Sequence, residues 1–328
     1  MDLDLHGHPS IYRSAPLSAD DVPAWADLVN HLAVVDGTEE FQRVDDLRAE
    51  FERTGFDPLR DSLAVWDDEA MVAFGVFSVP PTTDNDGNGR GYLQGGVRES
   101  HRGRGLGSAL LETLLPHAAD LVRERHAEVT ASYLRASGGL SGSSAQGLLS
   151  DHGFRVVRYY NELTRPLNGT VEVDTIEGVQ LVSPGAEHAE ATRLAHNDAF
   201  RDHWGSGPQS AATWHEHWTG TSRRGEVSTV ALTTEGTVLA YVLCSEWVDR
   251  ELYVDILGTV RTARGRGVAQ AALLRTITEA ARSGSYDVIA LGVDSSSQTG
   301  ATRLYERVGF THKLATTSMQ RDLPLTSS

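Results

Sequence analysis

The chain has 328 residues, a length that suits about two domains, and 40% of them are hydrophobic, enough for ordinary cores. Its formal net charge of −16 argues against nucleic acid as a partner, because phosphate contacts need clustered Lys and Arg; an acidic surface suits cationic amines and also simply keeps a protein in solution. No apolar run approaches the roughly 18–20 residues of a membrane span, and the acidic opening MDLDLHGHPS lacks the apolar region of a secretory signal.

In the first half, IYRSAPL (residues 11–17) reads as a short strand. Ser18 with Asp21 resembles a capping box, and DVPAWADLVNHLAVV then has helical apolar spacing. FQRVDDLRAEFER predicts a second helix. SLAVWDD and MVAFGVFSVPP predict strands, with Asp67, Asp68 and Glu69 as the hairpin turn. The polar loop TTDNDGNG leads to the strand GYLQGGV, an Arg/Gly turn and a helix through about residue 124. HAEVTASYL is a strand, SSAQGLLSDHG a short helix, and Phe154–Thr164 a last strand.

The second half repeats that order. VQLVSPG is a strand, AEHAEATRLAHNDAF a helix and SAATWHEHWTG a shorter helix. VSTVALTTEG and TVLAYVLCSEWVD form a hairpin around Glu235 and Gly236. The only cysteine, Cys244, lies in this apolar run. It reads as a buried thiol, since a nucleophilic cysteine needs positive neighbours, and a lone cysteine fits a reducing cytoplasm. RELYVDILGTV is a strand, followed by the second Arg/Gly turn and a helix to about Arg282. YDVIALGVDS, TGATRLYERVG and FTHKLATTSMQRDL complete the half as strand, helix and strand.

RGRG occurs at residues 102–105 and 264–267, 162 residues apart; DHGF at 151–154 parallels RVGF at 307–310, 156 residues on. Two landmarks at nearly one spacing mark a duplicated domain. The polar, turn-rich RPLNGTVEVD predicts the linker, giving domains of residues 1–170 and 171–328. Each half reads as a mixed α/β sheet flanked by helices. The halves are expected to pack as a pseudo-dimer within one chain, monomeric in solution.

Each turn joins a strand end to a helix start. The first four N–H groups of a helix lack internal partners and sit at the positive end of its dipole. Glycines let backbone approach a bulky anion, so the turn is an anion cradle suited to phosphate. Arg102, Arg104, Arg264 and Arg266 add positive charge. Neither turn has the Lys-Ser/Thr ending of a P-loop, and the glycine spacing is one residue too short for a dinucleotide fingerprint. The pattern is Arg-x-x-Gly-x-Gly/Ala: Arg102, Gly105, Gly107 and Arg264, Gly267, Ala269.

This pattern, the strand order and ATRLYERVGF at its distance resemble the GNAT superfamily of acyl-CoA-dependent N-acyltransferases, over the whole chain as two tandem domains. The layout is similar to that of mycothiol synthase. The resemblance implies a mostly antiparallel, splayed sheet in each domain, with acetyl-CoA as cofactor. It implies pyrophosphate binding by Arg264, Gly265, Arg266, Gly267, Val268 and Ala269, and by Arg102, Gly103, Arg104, Gly105, Leu106 and Gly107. It implies that Leu257, Gly258 and Thr259, and Gly95 to Val97, offer backbone groups to pantetheine and the thioester. Ser297 falls near the cofactor arm, and Asp202, His203 and Trp204 fall at the acceptor site.

In this family a tyrosine protonates the leaving thiol; the matching residue is Tyr305, and Leu149 stands in its place in the first half. The resemblance therefore implies a catalytic second domain and a degenerate first one. A base must help deprotonate the amine. Strand alternation puts Tyr253, Asp255 and Leu257 on one face, and a carboxylate inside an apolar strand is costly unless paired or solvated, so Asp255 is the first choice. Glu246 is the second. His215 and His217 lack helical metal-ligand spacing, and no metal is expected. The expected activity is acetyl transfer to a primary amine of a small molecule by direct attack in a ternary complex. The alternatives are a CoA-binding sensor without turnover and a mycothiol-synthase-type acetyltransferase.

Overall fold

Strand alternation and helical periodicity are played out in a computed structural model that describes residues 12–297 and 300–324. Ile11 and the opening segment lie outside the described residues. Two compact units emerge: residues up to Tyr159 with those from Ala315 onward, and Tyr160–Leu314.

The first unit contains β1 (Tyr12–Ala15), α1 (Val22–Val35), α2 (Val44–Phe51), α3 (Pro58–Asp61), β2 (Ser62–Asp67), β3 (Ala70–Ser78), β4 (Gly89–Val97), α4 (Leu106–Arg125), β5 (Ser132–Leu140), α5 (Ser144–Asp151) and the start of β6 (Arg155–Pro166). The Asp21 carboxylate accepts the Ser18 N–H at 2.8 Å, so the capping box opens the turn that leads into α1. Neighbouring strands β1 to β4 pair antiparallel, and β4 pairs with β5 in parallel. β5 begins later than HAEVTASYL suggests, because the α4 end is capped by His126 and residues 126–131 make the turn. On one face, Leu106, Leu110, Leu114 and Val122 of α4 pack on Leu63, Val65, Val72 and Leu134. On the other, Trp25, Leu28 and Leu32 of α1 pack on Ala64, Trp66 and Phe74. Alternate residues of β2 thus serve opposite cores.

The second unit runs β7 (Val179–Val182), α6 (Ala189–Ala199), α7 (Ala211–Thr219), β8 (Thr229–Thr233), β9 (Val238–Val248), β10 (Glu251–Thr259), α8 (Val268–Ser283), β11 (Val288–Asp294), α9 (Ala301–Arg307) and the start of β12 (Thr311–Leu323). β7 to β10 pair antiparallel in sequence order, and β10 pairs with β11 in parallel. Leu273 and Ile277 of α8 pack on Val242, Cys244, Leu252, Val254 and Leu291. Ala195 and Trp214, from α6 and α7, pack on Val230, Tyr241 and Leu243 across the sheet. Cys244 is fully buried, which pushes its thiol up, as its apolar run suggests.

The units differ from a cut at residue 170. The strand beside β5 in the first unit is Thr316–Leu323 of β12, and the strand beside β11 in the second is residues 160–166 of β6. Accordingly, Met319 and Leu323 belong to the first unit's core and Leu163 to the second's. The two segments have similar half-apolar patterns, and a free strand edge accepts either one, so local sequence cannot choose between them.

Candidate active site

The two Arg/Gly turns have nearly the same backbone. Arg102 and Arg264 are extended at φ −67° and −62°. Gly103 and Gly265 both take φ +74°, and the helix N-caps Gly105 and Gly267 take φ +82° and +78°. This left-handed conformation is what only glycine adopts at low cost. A glycine N-cap also has no side chain to spend on the first helical N–H groups; in α7, by contrast, Ser210 accepts the Thr213 N–H at 3.1 Å. A Cβ added at Gly265 would meet nothing within 4 Å, and one at Gly267 only Ile176 Cδ1 at 3.9 Å. Unfilled N–H donors facing open space fit a diphosphate.

The arginines divide their work. Arg102 makes a bidentate ion pair with Asp36 at the end of α1, at 2.7 and 2.8 Å, and its Nε donates to the Val97 carbonyl. Arg264 donates to the Ala199 carbonyl at the end of α6 and lies 3.6 Å from Asp202. The first arginine of each turn therefore anchors the turn to the end of that unit's first α-helix, and supplies less free charge than the sequence suggests. Arg104 is tied to the Tyr12 hydroxyl and the Ser100 carbonyl. Arg266 is exposed, with no hydrogen bond or ion pair among the described residues.

Both parallel pairs splay. The β4–β5 ladder ends at Leu93 and Ala136, and the β10–β11 ladder at Val254 and Leu291. Val260 N–H donates to the Leu239 carbonyl at 2.9 Å. Because antiparallel bonding alternates, Gly258 faces β9, while Leu257 and Thr259 turn their N–H and C=O groups into the splay. In the first unit the same argument exposes Gly95 and Val97, but the Val97 carbonyl already holds Arg102.

The second unit has a feature that the first lacks. Pairing of β9 and β10 slips between Val254 and Ile256, placing Asp255 in a β-bulge, whereas β3 and β4 pair without interruption. The bulge overturns the expected single face for Tyr253, Asp255 and Leu257: Leu257 packs with Leu252 and Val254 on the α8 side. Asp255 accepts from the Ser245 hydroxyl and, at 3.2 Å, from the Trp247 indole. Tyr253 OH donates to Glu162 at 3.2 Å. Glu246 is paired with Arg224 at 2.8 Å. Alternation along β9 puts it on the Cys244 side, away from Ser245, Trp247 and Asp255. Sequence reading singled out Glu246 and missed the two residues flanking it, although period-two alternation could have found them.

Tyr305 sits in α9 with its ring in the core, edge-on to Phe310 at 6.0 Å. Burial pushes its hydroxyl up to about 12. The Tyr305 carbonyl accepts from Val308 and Phe310, and the Leu149 carbonyl accepts from His152 and Phe154 in the same pattern. The two residues are thus structural equivalents, and Leu149 carries no hydroxyl.

Of the residues expected at the acceptor site, Asp202 is exposed against Arg264, and His203 Nδ1 is 3.0 Å from the Ser206 hydroxyl. Trp204 lies half-buried in the same turn, and Ser297 follows β11, its N–H on the Asp294 carbonyl. In α6, His196 is stacked on Phe200 at 4.5 Å and bonded to Tyr241 OH at 2.8 Å. Burial lowers His196 to about 4 and holds it neutral. His196, Tyr241 and Arg223 carry no sequence signal that marks them off from ordinary core and loop residues.

The acetyltransferase (GNAT) family pattern matches residues 25–138 and again 189–310, more than half of the chain. The mycothiol acetyltransferase of Brachybacterium faecium is 29% identical over 236 residues, 68% of this chain; the match spans 65% of that protein's length. A GCN5-related N-acetyltransferase from Sphaerobacter thermophilus superposes with a TM-score of 0.75 at 22% identity, over 98% of this chain and 99% of that one. A tandem GNAT protein from the clavulanic acid biosynthesis pathway gives 0.67 at 16% identity, over 96% and 100%. No helix among the described residues is long and apolar enough to cross a membrane. With the family pattern met twice, on two splayed sheets with matching Arg/Gly turns, this chain belongs to the GNAT acetyltransferase family as a tandem of two such domains.

Proposed function

We propose that the chain is an acetyl-CoA-dependent N-acetyltransferase. Its second unit transfers acetyl to a primary amine of a small molecule by direct attack in a ternary complex. The observation that carries this reading is the bulge: only there does a splayed strand bring a carboxylate, Asp255, with its own two hydrogen-bond donors. Bound acetyl-CoA would supply the activated thioester. The N–H groups of Val268, Ala269 and Gln270 hold the diphosphate, with Gly265 and Gly267 leaving room and Arg266 adding charge. Leu257 and Thr259 offer backbone groups to the pantetheine arm and the thioester carbonyl. Asp255 takes the amine proton, directly or through water. Tyr305, held at about 12, stays protonated beside a thiol of ordinary pKa about 8.5 and donates a hydrogen bond to the leaving sulfur. Direct attack accords with a sole cysteine that is buried and unreactive.

The first unit keeps the turn but lacks the bulge and the tyrosine, and we assign it cofactor-like binding without chemistry. Likeness to a mycothiol acetyltransferase favours a cysteinyl sugar conjugate as the acceptor in a second reading. A screen of amines with detection of released thiol tests the activity. Turnover with at least one amine is expected. Tight acetyl-CoA binding with silence across the screen refutes turnover and leaves a CoA-binding sensor.

A further inference from the structure

The Asp255 side of the second unit holds a half-buried arginine whose guanidinium ends are shielded from solvent. Arg223 follows α7 and pairs its backbone with Ser245, whose hydroxyl holds Asp255. Its guanidinium lies 5.0 Å from the centre of the Trp218 ring. Both Nη1 and Nη2 are shielded from solvent without a hydrogen-bond partner among the described residues, and so is His217 Nε2 on α7. Burial lowers Arg223, with Asp255 acting in the opposite sense, and lowers His217 to about 4, with Arg223 contributing. Three polar nitrogens, two on Arg223 beside Ser245 and one on His217 within reach of the Arg223 charge, thus have no hydrogen-bond partner among the described residues. Leaving the ends of a guanidinium shielded and unpaired is costly, and such a cost persists where a ligand completes the site.

Asp255 does not relieve it. The carboxylate is engaged by Ser245 and Trp247, while Arg223 rests on Trp218, so opposite charges stand near each other without an ion pair between them. A simple structural pair would close. A guanidinium fork without a hydrogen-bond partner, with a carboxylate near it, is complementary to a zwitterion, with carboxylate on the fork and ammonium toward Asp255.

We propose that Arg223 and His217 form a carboxylate subsite, and that the acceptor is an amine with a carboxylate close to it, the α-amino acid class. This rests on Asp255 marking the acceptor position in the proposed function. Arg223 is then a binding residue that sets specificity.

The test is calorimetric titration of the full chain, saturated with CoA, with each of the common amino acids and with its carboxamide. Thiol release from acetyl-CoA is followed in parallel. At least one amino acid is expected to bind, its amide at least 10-fold more weakly. Arg223→Gln should weaken the amino acid on the order of 100-fold and the amide little. Acetyl-CoA binding by the variant reports that it is folded, and the wild-type comparison of acid with amide stands without it. Amides that bind as well as or better than the acids, cysteinamide over cysteine included, overturn the proposal. So does the absence of amino-acid binding. Selective binding without thiol release supports the subsite and refutes acetyl transfer instead, which separates the two failures.

Discussion

The matched glycines offer a paired experiment. Gly267→Ala and Gly105→Ala make the same change in the two cradles, at φ +78° and +82°. A non-glycine residue in this region costs about 1–2 kcal/mol, so both variants should lose about that much stability and by similar amounts. Neither added methyl clashes: the space at Gly105 is empty to 4 Å, and Gly267 has only Ile176 Cδ1 at 3.9 Å. The methyl instead enters the space in front of the open N–H groups. Losing one charge-assisted hydrogen bond there is worth about 1.5–3 kcal/mol, which is roughly a 10- to 150-fold loss of acetyl-CoA affinity. Calorimetry with acetyl-CoA gives affinity and stoichiometry for each variant, and thiol release gives kcat/KM. Gly267→Ala should lower both affinity and kcat/KM, while Gly105→Ala leaves turnover within about twofold. Equal affinity in Gly267→Ala and wild type, or lost turnover in Gly105→Ala alone, would refute the assignment of chemistry to the second cradle.

Tyr305→Phe keeps the ring against Phe310 and removes only a hydroxyl, so stability should change by less than about 0.5 kcal/mol while kcat falls about 100-fold or more at unchanged acetyl-CoA affinity; unchanged kcat removes Tyr305 from the mechanism. Asp255→Asn should abolish most turnover, whereas Glu246→Gln, which only loosens the pair with Arg224, should leave kcat within a few-fold; the reverse order in a steady-state assay would make Glu246 the base. His196 is 6% exposed and lowered to about 4 from 6.5, so it stays neutral in the fold while the unfolded chain takes up protons. Its contribution is present above pH 6.5 and is lost as pH falls toward 4, by up to about 3 kcal/mol. Denaturant unfolding at several pH values should show this slope, reduced in His196→Phe; an unchanged slope refutes it.

Much of this was legible in the sequence because it is local. A glycine that must take positive φ, a helix that begins after it and a strand that alternates are all written within a few residues. Hence the Arg/Gly turns, the element order and the equivalence of Leu149 with Tyr305 could be read directly. What escaped depends on pairing between distant segments. The bulge at Asp255 arises from a slip against β9, and no residue of LYVDILGTV announces it. It reverses the face of Leu257, which strict alternation misassigns. Arg102 reads as free positive charge until the fold brings Asp36 to it, 66 residues away in sequence. Arg223 reads as a loop arginine until Trp218, Ser245 and His217 close around it.

The exchanged strands bear on how the two units are to be told apart. A fragment ending near residue 170 would leave β5 without Thr316–Leu323 and would carry residues 160–166 without their partner β11. The remaining fragment would lack that same segment beside β11, next to Leu291 and Val293 in the core. In each fragment the free edge could take the other segment instead, so the fragments would not keep the strand partners of the intact chain. Silence from such fragments would then not separate altered strand pairing from missing chemistry. Each sheet is completed by a segment distant in sequence, Thr316–Leu323 in the first unit and residues 160–166 in the second. That makes single substitutions in the intact chain the decisive comparison between the cradles.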